Sequence, residues 1–181
     1  MWESLVHLIQ RCFQPPGSTQ VSVAGPGRAD ITPTVIDGAR TMKINNIADV
    51  RRHFRNNQEP VYFISATNFN LLGIGDWVGN FRHINYIDCF DGQQRNVFVP
   101  KEKFPRDFES IEDINNYLLE HKEVIDFIQS RADGENAGVA AFLMFDEHTE
   151  EICRQLGLRV AFPPAALRSR MDNKIETVRI G

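Results

Sequence analysis

From Pro60 onward the chain predicts an α/β fold, a mostly parallel sheet with flanking helices. Two observations point there. The apolar runs at 61–66 ("VYFISA") and 137–145 ("AGVAAFLMF") are continuous rather than alternating, as in strands buried on both faces by crossover helices. Between them lie segments of helical period with their own start and stop residues, so strand and helix alternate. Residues 1–59 read differently, and the organisation expected is an N-terminal region, 1–59, followed by a domain, 60–181.

In the first region, Trp2, Leu5, Val6, Leu8, Ile9 and Phe13 recur at three- and four-residue steps, which predicts a short amphipathic helix. Residues 14–34, "QPPGSTQVSVAGPGRADITPT", have the composition of an irregular loop. The glycines of "AGPGR" lack the strand–loop–helix frame and the Gly-Lys-Ser/Thr of a phosphate loop, so they too are read as loop. "NNIADVRRHFRNN" (45–57) predicts a helix with Ile47, Val50 and Phe54 on one side.

In the second region the strands are expected at 61–66, 84–90 ("INYIDCF"), 96–100 ("NVFVP"), 137–145 and 158–164 ("LRVAFPP"). Ser110 is placed to cap a helix with Asp113 in its first turn and Ile111, Ile114, Leu118 and Leu119 on its apolar side. His121 and Lys122 mark a break before a second helical piece, "EVIDFIQSR". Asp146 caps "EHTEEICRQLG", Gly157 stops it, and Pro164 starts the last helix.

Composition narrows the function classes. A hydrophobic share of 42% is enough for a real core. A net charge of -4 argues against a nucleic-acid binder, which needs a basic face. The apolar runs are far shorter than the roughly 20 residues that span a bilayer, and Glu3, His7, Gln10 and Arg11 interrupt any leader-like stretch in 1–13. Cys12, Cys89 and Cys153 are odd in number and lack C-x-x-C spacing, which fits a reducing, cytoplasmic compartment. Cys89, in "IDCFDG", reads either as a structural thiol or as a nucleophile.

Ligands of open α/β sheets sit outside the carboxyl ends of the strands. "SATNFN" (65–70) stands directly behind the first strand, so Ser65, Thr67, Asn68 and Asn70 could hold a polar ligand or cap the following helix. Asp88 and Asp91, with Arg82 and His83 nearby, read as acid/base or metal chemistry or as turn residues around Gly92. Asp146, Glu147 and His148 are consecutive on a helix and point apart, so they do not form a metal set. "GIGDWVG" (73–79) has Val78 where a G-x-G-x-x-G needs its third glycine; a nicotinamide or flavin site would rest on Gly73, Gly75 and Gly79 alone.

Residues 140–181, "AAFLMFDEHTEEICRQLGLRVAFPPAALRSRMDNKIETVRIG", run strand, helix, short strand, proline, helix, then Asp-Asn-Lys. This order resembles the close of the N-terminal domain of ATP-grasp enzymes such as biotin carboxylase and the D-alanine–D-alanine ligase group. "ISATNFNLLGIGDWVGNFRHINYIDCFDG" is similar to a bacterial group of biotin-carboxylase-like ATP-grasp proteins. The resemblance covers residues 60–181 and implies a Rossmann-like pre-ATP-grasp domain. It implies that Lys174 reaches nucleotide phosphates, as an ammonium can, although an Asn separates it from the Asp. It further implies a parent ligase that activates a small carboxylate with ATP and Mg2+, the nucleotide being held by C-terminal ATP-grasp lobes that this chain lacks. Ser65, Thr67 and Asn68 would line the substrate side, and the chain alone would be inactive. The alternative is a stand-alone, non-catalytic binding or oligomerisation module, with Trp2 and Phe13 docking a partner or a second copy in a homodimer.

Overall fold

The computed structural model describes residues 34–37, 40–43, 45–68, 73–104, 106–173, 175 and 178. The expected helix at 2–13, all of the expected loop at 14–34 but Thr34, Cys12, Asn70 and Lys174 lie outside the described residues. The chain divides into two compact units, one ending at Phe54 and the other beginning at Arg55.

In the first unit, β1 (Thr34–Asp37) and β2 (Arg40–Lys43) pair antiparallel, from Thr34 opposite Lys43 to Asp37 opposite Arg40. Helix α1 (Ile47–Arg55) follows. Asn46 starts it, its Oδ1 accepting from the N–H groups of Ala48 and Asp49 at 2.9 and 3.1 Å.

The second unit holds five strands: β3 (Val61–Thr67), β4 (Phe81–Ile87), β5 (Val97–Phe98), β6 (Gly138–Ala141) and β7 (Leu158–Val160). They form one all-parallel sheet in the order β5-β4-β3-β6-β7. Among the described residues, four α-helices flank it: α2 (Ile111–Glu120), α3 (Lys122–Gln129), α4 (Glu147–Gln155) and α5 (Ala165–Asp172). This is the expected α/β, Rossmann-like arrangement. The chain lays β4 and β5 on one side of β3, then returns to place β6 and β7 on the other.

Sequence and structure differ in several places: β4, β5 and β7 end at Ile87, Phe98 and Val160, short of the expected 90, 100 and 164, and the pair β1–β2 was not expected, Thr34 having been assigned to the loop. Strand β4 begins at Phe81, three residues before the expected 84, because it accommodates Arg82 and a buried His83. Strand β6 ends at Ala141, and residues 142–145 form a turn instead of continuing it. Between β3 and β4 the described residues form a short 3-10 turn, Ile74–Asp76, where an α-helix was expected.

Both faces of the central strand are covered, as a parallel sheet requires. Tyr62 and Ile64 join Ile84, Leu118, Leu119, Val124, Ile128 and Ala140 in the main core. Phe98 stacks on Phe127 at 4.2 Å between ring centres, and Tyr86, Phe108 and Tyr117 meet edge to face. On the other face, Phe63 and Phe81 hold the ring of His83 at 5.9 and 5.0 Å. His83 is 1% exposed and its Nδ1 has no hydrogen-bond partner among the described residues.

Gly138 opens β6 with φ +112, and a Cβ there would stand 2.4 Å from the Pro60 carbonyl oxygen. That oxygen accepts the Val139 N–H at 2.8 Å, so the backbones cannot move apart without losing a ladder bond. Gly138→Ala is therefore expected to cost at least about 2 kcal/mol in denaturant unfolding, from strain and clash together; a loss below about 0.5 kcal/mol would contradict the packing.

Burial lowers the pKa of His83 from its ordinary 6.5. A histidine whose folded pKa is depressed leaves the unfolded chain with more bound protons, so stability rises with pH. Its contribution is complete above the unfolded value and falls away as pH drops below about 6.5. NMR titration of the His83 ring is expected to give a midpoint below 6.5, and a midpoint at or above it would refute this environment.

Candidate functional site at the carboxyl edge of the sheet

Because the strand order reverses between β3 and β6, the crevice of this sheet lies outside their carboxyl ends. Thr67 and Asn68 bring the chain to that edge from β3, Asp88 follows β4, and the turn 142–145 follows β6.

The β3–β4 side is a buried brace. Asn68 is fully buried; its Nδ2 donates to Asp88 Oδ1 at 2.9 Å and its Oδ1 accepts from the Cys89 N–H at 2.9 Å. The Asp88 carboxylate also accepts from the N–H groups of Phe90 and Gly92, at 2.9 and 2.7 Å. These bonds, the one from Phe90 foremost, hold its carboxyl below the usual range. Behind them, Ser65 Oγ donates to the Thr67 carbonyl at 2.7 Å and accepts from Asn85 Nδ2 at 2.9 Å. Asn85 Oδ1, fully buried, has no partner among the described residues.

The structure thus gathers Ser65 and Asn68 with Asn85 and Asp88, and their side chains bond one another and the backbone. Thr67 stands beside them, half-buried. Arg82 and His83 do not join Asp88. They lie six and five residues earlier on β4, on opposite faces, about 17–20 Å along the strand. Asp88 instead shapes the turn through Asp91 and Gly92, both with positive φ.

The β6 side is organised from α2. Asn115 donates from Nδ2 to the Met144 carbonyl at 2.7 Å. Asn116 points Nδ2 at both carboxylate oxygens of Asp146, 3.4 Å away, while its Oδ1 accepts the Thr149 hydroxyl at 2.7 Å. Asp146 and Thr149 close a capping box on α4, the Thr149 N–H donating to Asp146 Oδ1 at 2.8 Å. Burial pushes the Asp146 carboxyl up, but the bonds from Thr149 and Asn116 outweigh it and hold it below its ordinary value. His148 turns away to Glu120, at 3.2 Å, so the three consecutive residues diverge as expected.

Phe142 and Phe145 point inward, while Leu143 and Met144 stand 47% and 40% exposed at the edge, with Phe162 and Leu167 also open to solvent. Arg168, on α5, donates to the Leu143 carbonyl at 3.0 Å and lies over the Phe145 ring at 4.6 Å. The helix starts here bear carboxylates: Asp146 on α4, and Glu150 accepting the Ala165 N–H at 3.0 Å where α5 begins. Such groups neutralise the positive helix end that would otherwise attract a phosphate. The edge is apolar, with carboxylates at its helix starts and the Arg168 guanidinium laid over Phe145.

The glycines of 73–79 have packing reasons. Gly73 has φ +81, and a Cβ on Gly79 would meet the Arg55 and Asn57 carbonyl oxygens at 2.6 and 2.7 Å. Among the described residues, no three His, Cys, Asp or Glu side chains are grouped to hold a metal ion, and no helix is long and apolar enough to cross a membrane. Cys89 is a free, exposed thiol; burial, with help from Glu150, pushes the Cys153 thiol up to about 12. A cavity of about 730 Å³ lies against the α2–α3 bend, lined by Phe104, Tyr117, Glu120 and His121 among others.

No family model, curated protein or solved structure matches this chain.

Sequence reasoning missed Asn85, Asn115 and Asn116. The signal was present: adjacent asparagines inside a helical pattern are poor helix formers, and "INN" interrupts the apolar side of "IEDINNYLLE". Asn116→Ala and Thr149→Val are each expected to lower stability by about 1–3 kcal/mol. Because the two share one bond, the double variant is expected to lose less than the sum, with a coupling of about 0.5 kcal/mol or more in chemical denaturation. Strict additivity would show that the bond is not made.

Proposed function

We propose that residues 60–181 act as the substrate-side, pre-ATP-grasp domain of a biotin-carboxylase-like ligase, working in the cytoplasm. Its carboxyl edge packs against separate ATP-grasp lobes that hold ATP and Mg2+ and activate a small carboxylate. The observation that carries this reading is the edge itself. Leu143, Met144, Phe162 and Leu167 offer an apolar face, and the helix starts beside it are filled by carboxylates. A face so built suits another protein lobe better than a nucleotide phosphate. Of the substrate-side residues Thr67 has surface to offer; Ser65 Oγ donates to its carbonyl, while Asn68 is buried against Asp88. Lys174 would add its ammonium to the phosphates from the segment after α5.

The same exposed apolar face favours a second reading, a non-catalytic interaction module. In that case deleting residues 1–20 is expected to lower the mass in solution if the N-terminal region seals a homodimer, and an unchanged mass would remove that role.

On the ligase reading, this chain alone is expected to bind Mg-ATP no more tightly than millimolar and not to hydrolyse it. One exposed lysine contributes below about 1 kcal/mol to a phosphate, whereas micromolar affinity needs about 8 kcal/mol. Isothermal titration checks this. A low-micromolar dissociation constant that disappears in Lys174→Ala would place the nucleotide site within the chain and overturn the division of labour.

A further inference from the structure

At the opposite, amino end of the sheet, two arginines come together without an acid. Tyr62 and Arg82 are register partners on β3 and β4, each the second residue of its strand. Arg131, just past α3, reaches the same place and donates from Nη2 to Asn80 Oδ1 at 2.6 Å, with its guanidinium over the Phe127 ring at 5.6 Å. Arg82 is held by the Phe81 carbonyl at 2.7 Å. Both cations act on the Tyr62 hydroxyl, and burial, together with the charge of Arg131, lowers the pKa of Arg82.

What would ordinarily balance such a pair is missing among the described residues. Neither arginine is within ion-pair distance of a carboxylate there. Glu59, the acid that precedes β3, is engaged by Arg159 at 2.7 Å and by Asn136 at 3.1 Å. The Tyr62 hydroxyl and Arg131 Nε are both buried, and the hydroxyl's neighbour there is Arg131 itself rather than an acid. The neutral groups that fix the two guanidiniums are themselves fixed. Asn80 sits in the left-handed region at φ 60 and donates from Nδ2 to the Gln58 carbonyl at 2.7 Å.

We propose that Arg82 and Arg131 form a binding site for a phosphate group, presented as inorganic phosphate or as a phosphate monoester. Two like charges on partly buried side chains repel, and an oxyanion between them converts that repulsion into two attractions. Guanidinium forks match phosphate oxygens in pairs. Because the side chains are already anchored, little rotamer freedom remains to be lost on binding. The site is independent of the ligase reading and lies at the other end of the strands from its carboxyl edge.

Titration of the whole chain with inorganic phosphate, and separately with phenyl phosphate, at constant ionic strength set with chloride, tests this. Saturable binding is expected by calorimetry and by 31P line broadening, at least tenfold weaker in Arg82→Gln and in Arg131→Gln. Arg154→Gln, which removes a surface guanidinium paired to Glu151, is expected to leave it unchanged. Preference for phenyl phosphate over the free ion identifies a monoester as the ligand, and the reverse identifies phosphate itself. If a glutamine variant does not fold, the wild-type chain still decides: phosphate must raise the thermal midpoint where equal ionic strength of chloride does not. Identical responses to the two salts, or binding lost equally in Arg154→Gln, would overturn the site.

Discussion

Strand β3 is third in a sheet of five, so it has no face to give to water and no edge to leave unpaired. Its amino half meets this with apolar side chains, Tyr62 and Ile64 toward the helices and Phe63 toward the rings of Phe81 and His83. Its carboxyl half cannot, because the chain there must leave the sheet and its ladder bonds run out. Ser65 and Asn68 take over, and a polar group buried at such a place has to be bonded or it costs about 1–3 kcal/mol. Asn85 on the neighbouring strand and Asp88 beyond it supply the partners. The brace at the sheet's edge is thus the price of ending a doubly covered strand.

The same constraint acts on β6, which has only four residues in the sheet. After Ala141 the chain turns with Phe142 and Phe145 inward and must satisfy its carbonyls away from any strand. Helix α2 does this with asparagines in place of the leucines its apolar side would otherwise carry. Polar atoms placed there specify one register between helix and turn, which a purely apolar contact would leave free to slip. The two ends of the sheet then differ in character. The carboxyl edge is apolar and capped by acids; the amino end concentrates guanidiniums.

Much of this was legible in the residues. The α/β alternation, the Ser110 and Asp146 caps, the His121 break and the Gly157 stop are local chemistry, and local chemistry is written in adjacent letters. His121 even serves α3 as its cap, Nδ1 accepting the Glu123 N–H at 3.2 Å. The antiparallel pairing of β1 with β2 was not expected from the residues. What periodicity could not show was long-range. Strand β4 starts at Phe81 because His83 finds two aromatic rings from other positions, and β6 stops early because Asn115 arrives from elsewhere in the chain. The polar cluster after β3 was visible as a cluster; that its side chains face one another, with Asn85 among them, depends on a neighbouring strand.

Helix α2 is pinned at its middle and at its carboxyl end. Its middle is tied to the turn after β6 and to the start of α4, and where it gives way to α3, Glu123 holds the N–H groups of Lys101 and Glu102 at 3.0–3.1 Å. Domain closures by shear need packed helices to slide over a sheet by an ångström or two in small steps. A helix fixed by directional bonds at two places cannot make that movement without breaking them. Whatever meets the carboxyl edge therefore meets a stiff plate: any opening and shutting of a cleft formed there has to come from the body on the other side.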